Sequence, residues 1–216
     1  RSHIRSQSYD EAGSRTAAND AMGHSDHFEY NNLGRIASWT DAEGGTSHFR
    51  YDYLGNILYV SDPEGRVTQY EYDLKGRVIA EFKGEGANRV RKLTYEYDAN
   101  DNLIAVINAA EEKTTYDYDA ANRVTESRVF SHKDSTHPIK VVHYHYNQGR
   151  QVAGYSQEPG TDDQDQPVSD VTEDIVALSK TYTYTQRGQI ESVTFDFGAF
   201  TKSYSYTYYP NGLRET

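Results

Sequence analysis

Aromatic and polar residues alternate along much of the chain in short runs. Phe28/Tyr30, Phe49/Tyr51, Tyr70/Tyr72, Tyr95/Tyr97, Tyr116/Tyr118, Tyr144/Tyr146, Tyr182/Tyr184 and Tyr206/Tyr208 each lie two residues apart. Between them stand Glu29, Arg50, Glu71, Glu96, Asp117, His145, Thr183 and Thr207. A side-chain period of two puts each aromatic pair on one face of a β-strand and the intervening residue on the other. The pattern predicts strands with one aromatic and one wet face.

A turn signal follows each run. Tyr9-Asp10 with Gly13, Tyr30-Asn31 with Gly34, Tyr51-Asp52 with Gly55 and Tyr72-Asp73 with Gly76 recur at intervals of 21 residues. The series continues at Tyr97, Tyr118, Tyr146, Tyr184 and, more loosely, Tyr208, with spacings of 25, 21, 28, 38 and 24. A second turn follows eleven residues after the early anchors, at Asp20/Gly23, Asp41/Gly44 and Asp62/Gly65. Asp or Asn at the first position bonds backbone amides, and Gly at the fourth accepts the positive φ of a type I turn followed by a bulge. Where Gly is missing, Asn122 is a tolerable substitute, Asp101 a poorer one, and Glu111 fits badly.

After each Gly comes a polar residue and then an aliphatic one, as in Arg35-Ile36, Asn56-Ile57 and Arg77-Val78, which starts a strand returning antiparallel to the first. Two four-residue turns and two strands of about six residues give about 20, against a repeat of 21. The fold expected is all-β: an antiparallel meander of repeated hairpins, 14 to 18 strands in all, coiling under its own twist. Neighbouring aromatics are expected to stack into a ladder across strands, with the tyrosine hydroxyls at the surface.

The unit Tyr-Asp-x-x-Gly-Arg-hydrophobic, repeated from Tyr9 to Arg214, resembles the YD repeat of bacterial Rhs proteins, Tc-toxin B and C components, wall-associated contact-dependent toxins and animal teneurins. The resemblance implies a strand spiral that winds into a hollow shell. In the bacterial members the shell encloses a toxin until delivery, and in teneurins it supports adhesion ectodomains. It further implies that this chain is a segment of a larger shell protein, secreted, surface-borne or delivered by a secretion system. Its partners would then be the rest of that shell and an enclosed toxin domain. Bacterial shells close with a motif containing Asp-Pro-x-Gly that is linked to self-cleavage. Asp62-Pro63-Glu64-Gly65 carries those letters but lies in register with the turns at Asp20 and Asp41, and Tyr209-Pro210-Asn211-Gly212-Leu213 lacks the Asp. The turn reading is preferred for the first, and the self-cleaving end and toxin domain are expected to be absent.

Composition adjusts this picture. Leu, Ile, Val and Phe together make about 18% of the chain, which alone would suggest disorder, but 20 Tyr supply the missing apolar surface. A formal net charge of -11 offers no footprint for a nucleic-acid backbone. No run is long and apolar enough to predict a membrane span, no signal peptide precedes Asp10, and without Cys there is neither disulfide nor thiolate site. No cofactor is implied.

Two insertions interrupt the period. One, near 131–138, reads as a longer hairpin loop. The other lies in an acidic stretch, so the chain divides into regular repeats over 1–155, an irregular acidic insertion over 156–178 and further repeats over 179–216. Within the insertion, Asp162, Asp163 and Asp165 lack the spacing of a calcium loop, and residues 172–178 suit either a helical turn or a strand start. His143 and His145 share a strand face at a spacing that could hold a metal, although a packing role is the simpler reading. No nucleophile elbow, phosphate loop or zinc spacing appears, so no catalytic residue is assigned. Trp39 is the one candidate for binding, as a platform for a sugar ring, although alternation leaves its exposure open. The leading expectation is a non-enzymatic scaffold; the alternative is a cell-surface adhesion or glycan-binding module.

Overall fold

The computed structural model describes residues 4–159, 179–198, 200–210 and 212–214. Seventeen strands among the described residues form one antiparallel sheet in chain order. The chain divides into two compact units, Arg1–Thr94 and Tyr95–Thr216.

The first unit contains β1 (Ile4–Tyr9), β2 (Arg15–Asp20), β3 (Ser25–Tyr30), β4 (Ile36–Thr40), β5 (Thr46–Tyr51), β6 (Ile57–Ser61), β7 (Val67–Tyr72), β8 (Val78–Lys83) and the start of β9 (Val90–Tyr97). A short 3-10 turn at Gly86–Asn88 precedes β9. The second unit contains the end of β9, then β10 (Leu103–Asn108), β11 (Lys113–Tyr118), β12 (Val124–Phe130), β13 (Lys140–Tyr146), β14 (Val152–Pro159), β15 (Ser179–Tyr184), β16 (Ile190–Asp196) and β17 (Thr201–Ser205). The insertion near 131–138 is the loop of the β12–β13 hairpin. Of the acidic insertion, residues 156–159 continue β14, while 160–178, with Asp162, Asp163, Asp165 and the segment 172–178, lie outside the described residues.

The turns close as their residues require. In the β3–β4 hairpin the Gly34 amide donates to the Asn31 carbonyl at 2.9 Å, and the Asn31 amide to the Arg35 carbonyl at 2.8 Å. The Asn31 side chain accepts from the Leu33 and Arg35 amides, fixing the loop from within. The Asp41 and Asp62 turns close in the same way. Where Gly is absent the backbone is left-handed all the same, at Asp101 (φ 70), Glu111 (φ 65), Asn122 (φ 57) and Arg150 (φ 64).

The residue left over in the strand arithmetic is a β-bulge. Tyr30 pairs with Ile36 but Glu29 with Ser38, so Ala37 is extra. The same shift places Leu58 opposite the Arg50–Tyr51 step, Ile79 opposite Glu71–Tyr72, Thr125 opposite Asp117–Tyr118 and Ala153 opposite His145–Tyr146. Both turns of a repeat pair residues whose numbers sum to an even value, as with Asn31 and Arg35, so a bulge-free repeat would have an even period. A period of 21 with every anchor on one face demands one extra residue per repeat. The bulge also increases the local twist.

The sheet is thin. No large side chain among the described residues is fully buried; the best-covered apolar residues are Ala105 (2% exposed), Ala80 (3%), Phe82 and Val193. The aromatic pairs are half-buried, while Glu29, Arg50, Glu96, Asp117, His145 and Thr183 between them are exposed. Eight residues after several anchors the wet face carries a small residue, Ala17, Ser38, Ala80, Ala105 or Gly154, over which longer neighbours fold. Ser38 donates to Glu29 in this way at 2.8 Å.

Candidate functional site

The repeat residues form an inter-repeat rung. Gly13, Gly34, Gly55 and Gly76 all lie in the left-handed region, with φ between +72 and +105. Tyr30 donates its hydroxyl to the Arg15 carbonyl at 2.8 Å and Tyr72 to that of Ile57 at 2.7 Å. In the second unit Tyr118 bonds Leu103, Tyr146 bonds Val124, Tyr184 bonds Val152 and Tyr208 bonds Ile190, all at 2.7 to 2.8 Å. Wherever the bulge register is resolved, the acceptor is the residue that opens the bulge of the preceding repeat. A bulge disrupts the local ladder, and the hydroxyl of the next repeat supplies a donor there. The anchor hydroxyls are therefore turned into the sheet, not to the surface as the sequence suggested. Burial pushes the Tyr72, Tyr118 and Tyr184 hydroxyls above the usual phenol range.

Tyr9, in the first hairpin, is exposed and bonds Gln7 instead, and Tyr97 ends β9. Tyr51 lies under the Arg35 guanidinium, 5.8 Å from the ring centroid, while Arg35 donates to the Asp52 carbonyl at 2.7 Å.

Arginine is the second component of the rung. Arg123 donates to the carboxylate of its own turn residue, Asp119, at 2.7 Å and lies 4.4 Å from the ring centre of Tyr146 in the next repeat. Its hydrogen bonds hold Asp119 below the usual carboxylate range. Gln151 and Gln189 occupy the corresponding positions and reach the carbonyls of Gly188 and Gly212 in the following turns. The expected stack of aromatics is only partly present. Ring pairs such as Tyr144–Tyr155 and Phe195–Tyr204 occur in the second unit, whereas in the first unit Arg15 covers Phe28, Arg50 covers Tyr59, and Arg89 and Arg91 both face Phe82. Among the described residues guanidinium on aromatic is the commoner contact.

Trp39 lies on the aromatic face, opposite Phe28, because the bulge at Ala37 shifts the alternation by one. It is 38% exposed and lines a concavity of about 340 Å3 with Phe28, Phe49 and Tyr51, and with Asp26 as the acidic member of the wall.

The remaining candidates are tied up structurally. Asp62 closes a turn, with the Gly65 amide donating to its carbonyl, and its carboxylate takes the Arg66 guanidinium, whose hydrogen bond lowers the Asp62 pKa. His143 and His145 do share a face, but His143 lies between Glu126 at 3.1 Å and Glu158 at 3.2 Å. Among the described residues no group of His, Asp or Glu is arranged to hold a metal. One cluster escaped sequence reading. Glu111, left-handed in its turn, is gripped by Lys133 and His132 of the next loop, and the Lys133 and His132 hydrogen bonds hold its carboxylate low.

A meander in which hydroxyl rungs tie one hairpin to the next at six of its anchors defines a repeat-built all-β scaffold. A family model described as the RHS repeat matches residues 30–60, 51–81 and 89–130. Residues 30–81 and 89–130 of the chain thus carry the RHS, or YD, repeat. Among solved structures, a TcdB2–TccC3 complex without its hypervariable C-terminal region aligns with a TM-score of 0.65 at 12% identity, over 93% of this chain and 12% of that one. A Tc holotoxin pore from Photorhabdus luminescens aligns with a TM-score of 0.57 at 17% identity, over 96% of this chain and 13% of that one. The likeness is one of fold, and this chain spans about an eighth of the length of those chains. No curated protein sequence matches it.

Proposed function

We propose that the chain is a non-enzymatic wall segment of a larger RHS-repeat shell that encloses a toxin and delivers it to another cell. The observation that carries this reading is the unbroken strand order, with hydroxyl rungs passing from hairpin to hairpin. Each repeat both needs and supplies a neighbour, which is how a wall is extended by repetition. The fold likeness to the TcdB2–TccC3 complex and the Tc holotoxin pore supports it. On this reading the partners are the remainder of the shell and its enclosed polypeptide, and the protein is secreted or carried by a secretion system. The ion pair of Asp62 with Arg66 and the position of His143 between Glu126 and Glu158 support a structural role for both.

The test is limited proteolysis with electron microscopy on the full product of the gene that encodes this segment. A hollow particle that protects an internal polypeptide until it is denatured is the expected result. A solid or open particle whose whole length is cut at once would overturn the proposal.

A further inference from the structure

The aromatic concavity around Trp39 has features that a wall segment does not require. At its edge and elsewhere the chain covers rings with its own cations. Arg15 lies 4.6 Å from the Phe28 centroid, Arg35 5.8 Å from Tyr51, Arg50 4.4 Å from Tyr59 and Arg123 4.4 Å from Tyr146. Among the described residues no guanidinium or ammonium lies over Trp39 or Phe49, although indole is the best π-face for a cation. Two rings of the concavity are thus already engaged by arginine and two are free.

The chemistry of the wall narrows the occupant. A sugar needs several polar groups converging on its hydroxyls, and here Asp26 is the single charged side chain in a lining that is otherwise aromatic or, at Ile36 and Ile57, aliphatic. A purely apolar side chain would leave that carboxylate without use. A guanidinium satisfies both parts: its flat, weakly hydrated plane stacks on an aromatic face, and its N–H groups donate to a carboxylate. A net charge of -11 draws basic partners toward the chain. At about 340 Å3 the space accommodates one long side chain.

We propose that the Trp39 concavity receives the arginine side chain of a basic polypeptide, stacked on Trp39 and Phe49 and paired with Asp26. The site is independent of whether the chain encloses a toxin. Because Trp39 is the sole tryptophan, its fluorescence reports on the site directly. The 216-residue chain is titrated with a blocked Gly-Arg-Gly peptide, with Gly-Gln-Gly and Gly-Leu-Gly peptides, and with methyl glucoside. A saturable change with the arginine peptide alone, weakened by salt and about tenfold weaker in Asp26→Asn, is the expected result. Equal response to the glutamine or leucine peptide, saturation by the glucoside, an unchanged affinity in Asp26→Asn, or no saturable change at millimolar peptide would each overturn it. Calorimetry on Trp39→Phe, with circular dichroism confirming its fold, gives a second reading: the arginine affinity falls if the indole is the platform and is unchanged if it is not.

Discussion

The Tyr118 hydroxyl donates to the Leu103 carbonyl at 2.7 Å, across fifteen residues of sequence and between two successive hairpins. This contact accounts for a feature of the repeat that alternation leaves open: the anchor is always Tyr, while the aromatic two residues before it is Phe in Phe28 and Phe49 and Tyr elsewhere. Tyr118→Phe is expected to cost about 1 kcal/mol, the net worth of one hydrogen bond. Tyr116→Phe, which removes a hydroxyl from the preceding aromatic, is expected to cost less. Urea unfolding of the two variants compares them directly, and equal losses would count against the rung.

The same contact predicts a weakness to alkali. Burial raises the folded-state pKa of Tyr72, Tyr118 and Tyr184 above the phenol value of about 10 that they have when unfolded. Their contribution to stability is therefore fully present below about pH 10 and is lost as the pH rises through the folded-state values. The urea midpoint should hold from pH 8 to 9 and fall between pH 10 and 12. Replacing all three by Phe should flatten that fall from a lower starting stability. A wild-type midpoint unchanged at pH 11.5 would refute the linkage.

The acid limb has the opposite sign. The hydrogen bond from Arg123 holds Asp119 below the ordinary carboxylate value of about 3.9, so its contribution is present above that value and is lost as the pH falls through the folded-state pKa. Asp119→Asn keeps the side-chain oxygen for the turn, as Asn31 does, but gives up the charge on Arg123. Its midpoint should lie below that of the wild type at pH 7, with the difference closing as the pH approaches 2. A difference constant from pH 7 to 2 would show that the charge plays no part.

Arg150 tests the turn chemistry. Gly149 stands one residue too early, so the left-handed position is filled by an exposed arginine at φ 64. Arg150→Gly should raise stability by about 1 kcal/mol, the strain of a left-handed non-glycine residue less the added freedom of the unfolded chain. Glu111→Gly relieves a similar strain but surrenders the bonds to His132 and Lys133, so it should gain less or lose. Thermal midpoints of the two variants, each relative to wild type, separate strain from contact.

Strands and turns were legible because their signals are local. Tyr30, Asn31 and Gly34 specify a hairpin within five residues. The face of Trp39 was not legible because it depends on Ala37, an extra residue that no propensity marks. The clue was arithmetic: two turns and two strands make about 20, and the odd period of 21 already requires a bulge. The hydroxyl rung and the arginine stacking stayed hidden for a different reason. The hydroxyl rungs join residues fifteen or more apart, as Tyr72 to Ile57, and the arginine contacts cross between strands and turns, as Arg50 to Tyr59 and Arg123 to Tyr146, so both follow from the register, and the register follows from the bulge.

Gly154 shows how little room the bulged register leaves on the wet face. It pairs with Thr181 on β15 and holds the position that Ala80 and Ala105 hold in other repeats, yet even alanine does not fit. A Cβ there would lie 2.4 Å from the Lys180 carbonyl oxygen and 3.1 Å from the Thr181 Cα, and backbone atoms cannot swing aside as a side-chain end can. The obstacle is steric and not conformational, because Gly154 is absent from the residues with positive φ. Gly154→Ala should therefore part β14 from β15 and destabilise the second unit by about 1–3 kcal/mol, the usual range for overpacking. Ala105→Gly, which removes a methyl at the corresponding site, should cost only about 1 kcal/mol through propensity and lost contact. Hydrogen exchange locates the effect. Faster exchange confined to β14 and β15 in Gly154→Ala is the expected pattern, and protection equal to wild type in those strands would mean that the sheet absorbs the methyl without moving.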